Sequence, residues 1–170
     1  SFYDLSVACF AQTLAAVAGF LDRSRRHYID IGGDPDDLTA CRLVEDMASL
    51  KFQVMAVEHY SVGAIKGIER GFFDPPKASQ PLRYQELEET IERALKSLEV
   101  LDRKQIDDLA NRDVLFQSGD VRLPFTADSF ILSFCLPNLH FHATTAYDIL
   151  RVNGAPIGKR DYMGRLRVKT

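Results

Sequence analysis

Cysteine is scarce in this chain, and what little there is fits no site. Cys9, Cys41 and Cys135 are three in number, far apart, and each sits among apolar residues. No disulfide framework and no Cys-x-x-Cys or Cys/His zinc spacing can be built from them, so they read as buried free thiols in a reducing compartment. Charge of one sign is lacking too. Basic and acidic residues are mixed along most of the chain and leave a net charge of −3, which gives no electrostatic case for a nucleic-acid partner. There is no internal repeat, no low-complexity tract and no linker. Gly32-Gly33 is too short to cradle a phosphate, and no serine sits in a nucleophile elbow. The opening Ser1-Phe2-Tyr3-Asp4 carries an acid where a secretory signal carries bases. The apolar run Val7 to Leu21, interrupted by Gln12 and Thr13, reads as too short and too amphipathic to cross a bilayer. Cytoplasmic residence with no membrane partner is the default expectation.

What is present is a well-fed core. At 170 residues, 46% hydrophobic and 26% charged, one domain can bury roughly 70% of its unfolded surface without metal or disulfide staples. Phe10, Leu14, Val17 and Leu21 recur at helical spacing, and Arg23, Arg25, Arg26 and His27 complement the carboxyl end of a first helix over about 3–28. After the turn Gly32 to Asp37, Leu43, Met47, Leu50, Val54, Val57, Ile65 and Ile68 predict a second helix over 38–72, stopped by Gly71 and Pro75-Pro76. Leu87, Ile91, Leu95 and Leu98 mark a third helix over 83–101 with a solvated outer face. Val114 to Phe125, with Ser118-Gly119-Asp120 at its centre, predicts a small hairpin or extended loop. A fourth helix over 126–153 should be kinked at Pro137 and stopped at Gly154. Residues 154–170 form a basic tail expected to pack back on the bundle. The fold class is all-α, four helices around one core.

The fourth helix holds the most informative residues. A histidine inside an apolar helix needs a partner or a task. At about 100° per residue, Asp46, Gln53 and Tyr60 share a core-facing side of the second helix within about 80°. His59 falls beyond that side, which makes it a surface residue. On the fourth helix His142 shares a face with Asn138 and Thr145, while His140 points the other way. His142 facing Asp46 and Gln53 across the bundle forms a buried polar cluster. Either the cluster only satisfies its own hydrogen bonds, or it lines a pocket in which His142 acts as acid, base or donor with Asp46 orienting it. Those two carry the catalytic assignment. Gln53, Asn138, Tyr147, His27 and Arg42 are the ligand-binding candidates, although His27 also suits a helix cap and Arg42 can pair with Asp46 one turn on.

Leu136-Pro137-Asn138-Leu139-His140-Phe141-His142-Ala143-Thr144-Thr145-Ala146-Tyr147 through Gly158-Lys159-Arg160-Asp161-Tyr162-Met163-Gly164, with Arg42 to Met47 and Gln53, resembles an uncharacterised family of bacterial and fungal proteins. That family is classed as a domain of unknown function within the DinB-like superfamily. The resemblance runs from Phe2 to Gly164 and implies a DinB-like four-helix bundle whose second connection is a long crossover, often assembled as a homodimer. Many DinB-like proteins hold a metal on three histidines, one from helix two and an H-x-x-x-H pair from helix four. Here His142 matches the second of that pair, the first falls on Asn138, and the helix-two position falls near Gln53. Amides are poor transition-metal ligands, so no metal cofactor is expected. The primary expectation is a bundle that binds a small molecule, with metal-independent catalysis open to it. The alternatives are a DinB-type metal-dependent transferase or hydrolase and a noncatalytic dimerising structural protein.

Overall fold

A computed structural model describes residues 1–77 and 82–169. The chain opens with the short helix α1 (Phe2–Leu5), breaks at Ser6, and continues as α2 (Val7–Asp30). Val7, Phe10, Leu14, Val17, Phe20 and Leu21 lie on the buried side of α2. Gly32, at φ 82°, then turns the chain as the amide of Gly33 donates to Tyr28 O at 2.8 Å. Phe2–Asp30 together span 29 residues with a window of mean hydropathy 1.6, long and apolar enough to cross a membrane. This corrects the expectation that the run is too short. Most of its large apolar residues face the core, with Leu5 and Ile29 exposed, and half of that window is buried inside the fold.

The second predicted helix is shorter than its apolar pattern. Asp34 caps a 3₁₀ turn at Pro35–Ala40, and the true helix α3 (Leu50–Glu58) begins only after Ser49. Between them, residues 41–49 form an irregular loop, closed where the amide of Leu50 donates to Cys41 O at 2.8 Å. A π turn at His59–Gly63 joins α3 to α4 (Ala64–Arg70), which ends on Gly71 at φ 75°. The expected long crossover to the next helix passes through positions 78–81, outside the described residues. Helix α5 (Tyr84–Glu99) matches its predicted range closely.

After the short helix α6 (Arg103–Asp107), the predicted hairpin is present as β2 (Asp113–Ser118) and β3 (Val121–Thr126), antiparallel with Ser118 opposite Val121. Gly119, at φ 57°, takes the first position of the two-residue turn, where a positive φ is required. The sequence pattern did not predict β1 (Phe72–Phe73), which pairs in parallel with Leu115 and Phe116 of β2 to give the order β1-β2-β3.

The last long helix begins as α7 (Ala127–Ser129), widens into a π turn at Phe130–Cys135, and continues as α8 (Leu136–Val152). Pro137 lies in the first turn of α8. Its missing N–H and its ring conflict with an ordinary α turn just upstream, and the wider turn falls there. Helix α2 packs mainly on α5, and α3 mainly on α8. The tail folds back through Ala155 and Ile157, both buried, into α9 (Lys159–Met163). There Gln12 Nε2 donates to Met163 O at 3.0 Å and Arg23 pairs with Asp161 at 3.0 Å. The fold is a helical bundle with a small three-stranded sheet at one side.

Candidate functional site

The α3–α8 seam brings together Gln53 and His142. The side-chain amide of Gln53 donates from Nε2 to Ala48 O at 3.0 Å, which turns Oε1 toward His142 Nδ1, 2.7 Å away. An amide oxygen only accepts, so the His142 proton sits on Nδ1 and the lone pair on Nε2. Loss of hydration holds this imidazole well below the ordinary histidine range, at about 4, and nearby His59 adds to the effect. His142 is therefore neutral at physiological pH. No enclosed side-chain polar atom lacks a partner among the described residues, and no described residue bonds His142 Nε2, so that nitrogen is not fully enclosed.

Aromatic rings frame the imidazole. Tyr60 stacks on it with centroids 5.5 Å apart and planes inclined 10°. Phe52 and Phe141 present edges at 6.0 and 5.3 Å. Burial, with Cys135 contributing, pushes the Tyr60 phenol up to about 12, so it too is neutral and able to donate. Beyond Tyr60 lies a cluster of Phe73, Phe116, Phe125, Phe130 and Phe134, with Phe73 wholly enclosed.

His59 belongs to this region and is half-buried, where regular helical spacing put it on the surface. The π turn starts at His59, and the Phe72–Asp74 segment covers its outer side. Its Nε2 lies 2.7 Å from Asp74 O, and its ring rests 4.5 Å from Phe73 and 5.4 Å from Tyr60. Sequence reasoning missed this residue because nothing in a residue pattern marks where a helix inserts an extra backbone position.

The other candidates disperse. Asn138 lies one turn before His142, half-buried, with Nδ2 donating to Phe134 O at 2.8 Å. Asp46 does not face His142: the chain leaves the helix across 41–49, and Asp46 is exposed in that loop. Arg42 is in the same loop, where its guanidinium bonds Met47 O rather than Asp46. Tyr147 lies away from the seam, its hydroxyl donating to Ile157 O at 3.3 Å and its ring set between Phe20 and Tyr162. His27 sits in the last turn of α2 beside Asp30 and Pro156, separate from His142. His140 faces outward, as its position predicts, and shares the Tyr162 hydroxyl with Thr144 at 3.2 and 3.0 Å.

Residues 2–163 match the family described as a domain of unknown function, DUF1993. The chain belongs to the DUF1993 family. A crystal structure of a DinB family member protein from Shewanella denitrificans matches this DUF1993 chain with a TM-score of 0.80 and 28% identity, over 99% of this chain and 94% of that one. The family and the fold that the resemblance implied are both present. No functionally curated protein matches this DUF1993 chain.

The three-histidine metal centre of many DinB-like bundles does not fit the donors of this chain. Gln53 spends its amide oxygen on His142 and its nitrogen on Ala48, and the Asn138 nitrogen is held by Phe134 O. Among the described residues no group of three or more His, Cys, Asp or Glu side chains converges as a metal site requires. One imidazole and two carboxamides make a weak transition-metal set.

Proposed function

We propose that this DUF1993 chain binds a polar small molecule at the α3–α8 seam, with His142 Nε2 as its hydrogen-bond acceptor or proton acceptor. The observation that carries this reading is the fixed tautomer. Gln53 is anchored on Ala48 and holds the His142 proton on Nδ1, leaving the Nε2 lone pair unpaired beside the Tyr60 ring. Such an arrangement orients a ligand donor and can accept a proton, and Tyr60 offers a neutral phenol alongside. The three free thiols agree with a reducing compartment and support cytoplasmic residence. Homodimerisation belongs to the same proposal. Exposed Phe141 and Leu132, on the last long helix, supply apolar surface for it.

The test is nitrogen-detected NMR of the His142 side chain at pH 7 during a small-molecule screen. A ligand that shifts Nε2, and whose binding is lost in His142→Ala while the fold persists, supports the reading. An Nε2 resonance that no polar compound moves, together with His142→Ala lowering only stability, overturns it in favour of a structural polar pair.

A further inference from the structure

On the other side of Tyr60 the surface opens into a cleft of about 380 Å³ that the His142 pair does not use. One wall is a single helical stripe: His59, Gly63, Lys66 and Arg70 follow each other at intervals of four, three and four residues. The opposite wall is the segment carrying Asp74 and Lys77. Lys66, Arg70 and Lys77 are exposed, and none meets a carboxylate within ion-pair distance among the described residues.

We propose that this cleft is a binding site for a small phosphate ester, its phosphate held by Lys66, Arg70 and Lys77 and a hydroxyl of its alcohol part donating to His59 Nδ1. Three cations against the one carboxylate of Asp74 leave a local charge near +2 in a chain whose net charge is −3, which complements a dianion. Lys66 and Arg70 are like charges one turn apart, a pairing that disfavours the helix unless an anion is shared between them. Because His59 Nε2 donates to the Asp74 carbonyl, Nδ1 points away from that bond and carries the ring's lone pair, an acceptor for a ligand hydroxyl rather than for the phosphate. Gly63 keeps this nitrogen uncovered, since a side chain there would begin 3.4 Å from Nδ1. An acceptor nitrogen beside three cations suits an ester that carries a hydroxyl rather than the free ion. The site stands on its own geometry and does not require the His142 reading.

The probe is inorganic phosphate, followed by glycerol phosphate, titrated into the isotopically labelled full chain at constant ionic strength. Saturable shifts at Gly63, Lys66, Arg70 and Asp74, weakened about tenfold in the double variant Lys66→Ala/Arg70→Ala, support the site. Lys66→Arg should keep binding, and His142→Ala should leave it within about twofold, because that ring makes no contact with the anion. Tighter binding of glycerol phosphate than of phosphate identifies an ester as the ligand, whereas binding of the free ion alone overturns that assignment. Shifts that chloride reproduces, that never saturate, or that persist unchanged in the double variant overturn the site.

Discussion

Gln53 Oε1 accepts the Nδ1 proton of His142 at 2.7 Å, and the same Gln53 is pinned through Nε2 to the Ala48 carbonyl. A carboxamide in this position does what a carboxylate would not: it selects a tautomer without favouring the imidazolium. Gln53→Glu therefore raises the His142 pKa from about 4 toward or above its ordinary value, a change read directly by NMR titration. Gln53→Leu leaves the Nδ1 proton without an acceptor and costs about 1–3 kcal/mol of stability in chemical denaturation.

The lowered basicity of His142 also links stability to pH. The folded ring binds its proton near 4 and the unfolded ring near 6.5, so the unfolded chain holds more protons in between. The contribution is fully present above pH 6.5 and is lost as pH falls toward 4, with a slope of at most about 1.4 kcal/mol per pH unit. Partial solvent access to the ring reduces that slope. His142→Gln removes this component, so subtracting its stability curve from the parent's between pH 7 and 4 isolates it.

The Gln53–His142 contact was readable from sequence because both residues lie where the backbone is regular, in Leu50–Glu58 and Leu136–Val152. There, 100° per residue places side chains correctly. Asp46 fits the same arithmetic but lies in a stretch that is not helical. The half-buried Leu43 and Met47 pack from the 41–49 loop, so their apolar spacing imitates a helix face that does not exist. His59 was misplaced for a different reason: a π turn begins at that residue and β1 runs over it. Periodicity also predicted α2 and α5, and the Ser118-Gly119-Asp120 turn marked the hairpin. The two-residue strand β1 carries no pattern long enough to register.

Two helical glycines should respond to alanine with opposite signs. A Cβ at Gly67 would lie 2.7 Å from Phe73 Cδ2 and 3.3 Å from the Phe72 carbonyl. That wall is backbone and an enclosed ring, so Gly67→Ala destabilises by about 1–3 kcal/mol through overpacking. Gly19 is in the middle of α2 with nothing within 4 Å of its would-be Cβ. Gly19→Ala stabilises by about 0.5–1 kcal/mol through lower backbone entropy in the unfolded chain. Paired urea denaturation curves decide both signs.

The three thiols should react in an order set by enclosure. Cys135 has no exposed surface, and burial pushes its thiol far up, so the native chain presents neither access nor thiolate there. Cys41 is half-buried, and its thiol is raised by burial and by Asp37, which slows it. Cys9 is also half-buried, but Arg167 Nη2 lies 3.3 Å from its sulfur and attracts an anionic reagent. With a dianionic aromatic disulfide at mildly alkaline pH, Cys9 modifies first, Cys41 follows, and Cys135 reacts only after denaturation, when all three count. Native modification of Cys135 at the pace of Cys9 would mean that the π turn at Phe130–Cys135 opens without global unfolding. Arg167→Ala tests the attraction separately, since it should slow Cys9 toward the rate of Cys41 and leave Cys135 unchanged.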